Sequence, residues 1–319
     1  MQLRSRAGGE GWALPVESLL RYLLRPGARQ ENDASAAADR NVSRHPLALP
    51  PGLSLQWLGT AGFAIAHEGT RLLIDPFVTR PPLRPVALNQ NLRPRGEAVA
   101  QHLGERADAI LVGHTHYDHA MDVPVAARHL DCPVYGGRSV ATLMGLWGEG
   151  ARAREVEGNQ PFEIGPFKVT FVPSVHSKLA LGLKVTSEGE ITCDHLDALS
   201  NGTFCCGQVW GIHLEVAGHS LYHLGSANLL EDEIRFDRVD TLLLGIAGRG
   251  HTPDFLPRIL RATRPSAILP HHFDNFFLPL EGPMGFSFNV NLGGFLEEVH
   301  RHAPGLPVHT LELLQTTGG

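Results

Sequence analysis

The sequence predicts an α/β protein in which helices cover strand-rich layers in both halves of the chain. Two observations carry that expectation. Short apolar runs at 109–112, 240–246 and 266–270 alternate with helix-length stretches. Alternating, glycine-punctuated segments that read as paired strands occur at 53–75, 162–172 and 209–224. With 319 residues and 43% hydrophobic content, the chain has enough apolar material to bury a large core.

In chain order, Pro15 to Arg25 reads as a helix, with Pro15 near its first turn and Pro26-Gly27 stopping it. Its apolar residues cover more than one face, which calls for packing on the main body or on a second subunit, so a homo-oligomer is within expectation. Residues 28–44 are polar and rich in Ala, Ser, Asn and Asp, and read as a linker or loop. Residues 1–52 are therefore expected as a helix-and-linker extension ahead of one domain, 53–319. Leu53 to Leu58 alternates, Gly59 to Gly62 turns, Phe63 to Ala66 returns, and Arg71 to Ile74 forms a third strand that stops at Asp75. Residues 78–97 hold four prolines with Arg80, Arg84, Arg93 and Arg95. They read as a solvated loop, with a role over the site against an anionic group as the second reading.

Gly96 to Leu103 reads as a helix and Ala109 to Val112 as a buried strand. Val123 to Leu130 and Ser139 to Leu146 read as helices around a strand at Pro133 to Tyr135. Residues 187–207 are irregular; Cys193, Cys205 and Cys206 lack a Cys-x-x-Cys pair, so a loop is preferred to a structural zinc site. Gly218 turns the hairpin of Val209–Val216 and Ser220–Leu224. Asp240 to Ile246 and Ser266 to Pro270 read as strands, with a helix from Thr252 to Ala262 between them. A helix at Leu292–His302 and a strand at Val308–Leu314 close the chain.

A net charge of −6 with 19% charged residues offers no basic field, so nucleic acid is not an expected partner and a small molecule is. Four cysteines without framework spacing make a reducing cytoplasm the default compartment. The first residues lead into no apolar signal region, and no run approaches the length of a membrane span.

The chemistry concentrates in Gly113-His114-Thr115-His116-Tyr117-Asp118-His119-Ala120-Met121-Asp122, directly after the 109–112 strand. His114 and His116, two apart, point the same way from an extended strand end. Asp118 and His119 follow where the chain turns and can aim at a second point. Imidazole nitrogen plus carboxylate oxygen is a ligand mix that suits zinc and related divalent ions.

His-x-His-x-Asp-His after a buried strand resembles the signature of the metallo-β-lactamase-fold hydrolases. The resemblance spans roughly residues 53–277. It implies a four-layer αββα sandwich, two mixed β-sheets flanked by helices, with metals at one edge. It also implies the ligands: His114, His116 and His176 for one metal, Asp118, His119 and His272 for a second. Zn2+ is expected, one ion or two, with Mn2+ or Fe2+ as other divalent candidates. By the same resemblance Asp75 supports the metal loop through hydrogen bonds. Pro270-His271-His272 matches the family's Pro-x-His, which selects His272; His271 then lies beside the site, with the reverse assignment open. Gly225-Ser226 departs from the family's Gly-Asp, whose carboxylate bridges two metals, and a neutral hydroxyl is a poor substitute. The variant motifs are most similar to the branch of ascorbate-phosphate lactonases and N-acylphosphatidylethanolamine phospholipases D.

Three protein ligands per ion leave an open position, the catalytic arrangement. Zinc lowers the pKa of bound water to about 7. The expected reaction is attack by zinc-bound hydroxide on an ester, lactone, amide or phosphodiester bond of a small or lipid-like substrate. Asp118 is the candidate for orienting the water or carrying its proton. Asp122 is expected beside a ligand imidazole, and His223 as a donor to substrate. Ser226 supports the rival reading, a weakly active or non-catalytic ligand-binding protein with a depleted second metal site.

Overall fold

The structure, a computed structural model, describes residues 24–178, 187–288 and 290–319. The helix expected over Pro15–Arg25 lies, but for its last two residues, outside them. The polar stretch that follows is not a linker. Pro26, whose fixed φ suits a first helical turn, opens helix α1 (Pro26–Arg40), and the helical state of Leu24 ends before it at Arg25. Asp33 and Ala37, one turn apart, bury its inner face. Asp33 accepts from Gly293 N at 2.9 Å and Thr310 donates to Ala37 O at 2.6 Å. Composition signalled a loop; five alanines and this docking made a helix.

The first sheet grows from the expected meander. Strands β1 (Ser54–Gly59), β2 (Gly62–His67) and β3 (Thr70–Ile74) pair antiparallel. Helices α2 (Leu83–Ala87) and α3 (Gly96–His102) then lead to β4 (Ala109–Leu111), which lies parallel to β3. The motif forms α4 (Tyr117–Ala120) and α5 (Val123–Leu130) follows. Strand β5 (Val134–Gly136), helix α6 (Arg138–Leu146) and an unexpected β6 (Ala153–Glu155) extend the sheet in parallel.

The second sheet starts with the hairpin β7 (Phe162–Ile164) and β8 (Phe167–Ser174), then β9 (Val209–Val216) and β10 (His219–Leu224), all antiparallel. Parallel β11 (Thr241–Gly245) and β12 (Ala267–His271) flank helix α7 (Phe255–Thr263) in the chain. Helix α7 begins at Phe255, not Thr252, because Asp254 takes a left-handed φ of 50°. Helix α8 (Leu292–His302) has the expected bounds. The closing strand does not: Val308 and Thr310 make single bridges, and the ladder partner of β1 is β13 (Thr316–Gly318), after a left-handed Leu314 at φ 63°.

The orders are β13-β1-β2-β3-β4-β5-β6 and β12-β11-β10-β9-β8-β7. Alternation assigns the layers. Leu72 and Ile74 pack in the core shared with Phe171, Ile212 and Leu224 of the second sheet. Leu73 between them packs with Val99, Ala126 and Leu143 of the helices. On the far side, Phe255, Ile259, Phe295 and Val299 of α7 and α8 cover the second sheet. This is the αββα sandwich, and a buried leucine replaced by alanine in it costs about 2–5 kcal/mol. Among the described residues no helix is long and apolar enough to cross a membrane.

Candidate metal centre

Four donors follow strand ends and two lie on the short helix after the first of them. Strand β4 ends at Leu111, and two residues on, at Gly113, a Cβ would lie 3.2 Å from an Asp75 oxygen and 3.3 Å from Trp210 O, a tight fit that glycine avoids. His114 and His116 leave this strand end. Between them Thr115 is held from both its polar groups: N donates to Cys206 O at 3.0 Å and Oγ1 to Cys205 O at 2.6 Å. The 187–207 loop thus braces the metal loop through its backbone, and its cysteines are free thiols. Asp118 and His119 lie on α4. Strand β8 delivers His176, and β12 delivers His272.

These segments converge. Donor atoms of His114, His116 and His176 lie within 4.8 Å of one another, and so do those of Asp118, His119 and His272. Ring centroids in the first triad are 4.9, 4.9 and 4.5 Å apart. In the second, Asp118 Oδ2 is 3.2 Å from His272 Nε2 and 3.9 Å from His119 Nε2. The triads touch where the His114 and His119 rings are 3.8 Å apart.

Hydrogen bonds select the free nitrogens. A carbonyl only accepts, so His176 Nδ1 donates to Ser177 O at 2.7 Å and Nε2 keeps the lone pair. His119 Nδ1 faces Asp75 Oδ2 at 2.8 Å, which leaves Nε2 toward Asp118. His114 Nε2 is buried without a hydrogen-bond partner, a costly state for a polar atom unless a ligand engages it. Burial first, then the neighbouring imidazoles, holds His114 well below the ordinary histidine range, and the same causes push His176 down to about 3. Burial opposes ionisation of Asp118, yet His119 and His272 outweigh it and hold the carboxyl far below its usual range. Neutral imidazoles and an ionised carboxylate at this spacing fit divalent ions with ligand distances of about 2.0–2.2 Å.

The profile of the β-lactamase superfamily domain matches residues 54–272 of the sequence. The chain belongs to the metallo-β-lactamase-fold superfamily of metal-dependent hydrolases. Among curated relatives, a metal-dependent hydrolase of a Ruegeria species is 29% identical over 182 residues, 56% of this chain and 66% of its own length. One of Dinoroseobacter shibae is 27% identical over 83% of this chain and 99% of its own. Two solved structures share the fold at 16% identity. A metallo hydrolase of Ignicoccus hospitalis has a TM-score of 0.54 over 83% of this chain and 97% of that one. The diiron β-hydroxylase of Streptomyces venezuelae has a TM-score of 0.56 over 85% of this chain and 55% of that one.

Around the two triads of this metallo-hydrolase, the remaining site residues divide. Asp75 accepts from Gly113 N at 2.7 Å with one oxygen and engages His119 with the other, so it ties the 113–119 segment to that imidazole, and with His114 and His119 it forms a third group of close donors. Asp122 corrects expectation: it accepts from Val78 N at 2.6 Å, Thr79 N at 2.7 Å and Thr79 Oγ1, and so anchors the chain after Asp75 rather than an imidazole. His223 is turned into the core. Its Nε2 donates to Ala61 O at 2.8 Å and its ring stacks 4.8 Å from His271, with 1% exposure. His271 packs against Phe63 and stacks on His223; His272 is the one beside Asp118. Ser226 Oγ accepts from Ser177 N at 2.9 Å, bracing the segment that carries His176. Arg80, expected on a solvated loop, is buried against Asp274. In the sequence Thr115 and Thr60 are only members of the motif and of a turn, and Asp274 only closes Pro270-His271-His272-Phe273-Asp274; their supporting contacts carry no local signal.

Proposed function

We propose that the two triads each hold a zinc ion and that the enzyme cleaves an ester, lactone, amide or phosphodiester bond of a small or lipid-like substrate. The reading is carried by one observation: six donors from three separated segments meet as two touching triads, each with donor atoms within 4.8 Å. An ion bound there supplies Lewis acidity and makes water nucleophilic near neutral pH. The neutral His114, His116 and His176 leave that Lewis acidity undiminished by ligand charge. As the one carboxylate of the two triads, Asp118 is the group to orient the attacking water and to carry its proton to the leaving group. Asp75 keeps His119 in the tautomer that presents Nε2.

Imidazole and carboxylate donors favour zinc, and the likeness to a diiron fold neighbour makes Fe2+ the alternative to measure. The deciding experiment combines metal analysis with a lactone, phosphodiester and β-lactam panel, before and after chelation. About two zinc equivalents per chain with chelator-sensitive turnover supports the reading. Tight ligand binding without turnover supports the non-catalytic alternative that Ser226 raises, and overturns the hydrolytic one.

A further inference from the structure

We infer that Asp274, held by Arg80, is a positioning residue for His272: through Thr60 it fixes the left-handed backbone that aims the imidazole at Asp118. This inference rests on the two-ion reading above. His272 has a φ of 63°, a conformation uncommon for a residue with a side chain and unheld by the β12 ladder, which ends at His271. What holds it is the β1–β2 turn. His272 N donates to Thr60 O at 2.9 Å, and Trp57 Nε1 donates to the same oxygen at 3.1 Å. Thr60 is itself left-handed at φ 51°, and its N–H donates to Asp274 Oδ1 at 2.9 Å. The other carboxylate oxygen, Oδ2, receives the guanidinium of Arg80, also left-handed at φ 47°. Three strained residues thus close on one carboxylate.

Stability does not account for the arrangement. The Arg80 and Asp274 side chains are 1% and 0% exposed, and Arg80 Nε has no hydrogen-bond partner. A buried, incompletely satisfied ion pair is commonly matched or bettered by apolar residues of similar size. The surroundings are nevertheless cut to fit it: a Cβ on Gly59 would fall 1.8 Å from Arg80 Nη2. Both Asp274 oxygens are engaged away from the triads, so Asp274 acts through Thr60 and His272 and not as a ligand.

Two double variants separate position from charge. Arg80→Met with Asp274→Leu removes the pair and the acceptor for Thr60 N; Arg80→Met with Asp274→Asn removes the same charges and keeps the acceptor. Cobalt(II) titration of the apo-protein, followed by its visible absorption, reads each ion separately. The expected result is second-ion affinity about tenfold or more weaker in the leucine pair, first-ion affinity unchanged, and near-wild-type binding of both ions in the asparagine pair. A leucine pair that binds both ions like wild type overturns the inference, as does an asparagine pair as weak as the leucine pair. Should the leucine pair not fold, the asparagine pair decides alone: near-wild-type second-ion binding supports the inference and weak binding overturns it. Wild-type protein taking fewer than two ions removes the two-ion reading and this inference together.

Discussion

The two triads differ in charge and in how they are built. His114, His116 and His176 form an all-imidazole cage, two members from one loop and the third from a strand end braced by Ser226. Asp118, His119 and His272 combine a carboxylate with two imidazoles, and Asp75 stands behind His119. Burial and the neighbouring imidazoles hold His114 and His176 below the ordinary histidine range. In the second, burial alone would depress His119, but Asp118 and Asp75 outweigh it and raise its affinity for a proton. On the proposed reading the difference is a division of labour: an all-imidazole cage adds no ligand charge to its ion, while the triad with the carboxylate handles protons, and both join the two sheets, His176 arriving after β8 and His272 after β12.

The sharpest break in that comparison is removal of the cage. His116→Ala is expected to cost one metal equivalent and to lower kcat/KM on the order of 10³-fold or more, read by metal analysis and steady-state kinetics. Turnover within about tenfold of wild type would place the chemistry elsewhere. Next in size, Asp118→Asn should lower kcat roughly 10²–10⁴-fold while the first ion remains bound. Equal loss of both ions would erase the proposed difference between the triads. Ser226→Asp adds the carboxylate that neither triad shares, and should tighten the second ion by about tenfold; unchanged stoichiometry and affinity mean that Ser226 does not limit it.

The smallest effect at neutral pH comes from a histidine buried by packing alone. His213 stacks 4.2 Å from Phe236, and burial pushes its pKa down to about 4. Its unfolded value is near 6.5, so between those values the unfolded chain binds the extra proton and stability falls as pH drops. Above pH 6.5 the effect vanishes; at pH 4 it reaches at most about 3 kcal/mol. His213→Phe should flatten the pH dependence of denaturant midpoints across that window, and an unaltered slope would assign acid lability to other groups.

Ligand chemistry was legible because it is local. His114, His116, Asp118 and His119 declare themselves within six positions, and helices such as Val123–Leu130 announce their ends with residues beside them. The supports were not legible, because their partners are distant. Asp274 meets Arg80 across 194 positions, and Asp122 meets Thr79 across 43. Helix α1 was hidden by polar composition, since what makes it fold is the surface formed by Gly293 and Thr310. The 187–207 loop reads as irregular in isolation and becomes intelligible only once Thr115 is seen resting on its carbonyls.

The most direct test of two unlike ion positions is anomalous diffraction from crystals of the metal-loaded enzyme. Two peaks are expected, one about 2.0–2.2 Å from nitrogens of His114, His116 and His176, the other at the same distance from Asp118, His119 and His272. A single ion outside both sets, or Asp274 or His271 in direct coordination, would contradict the account.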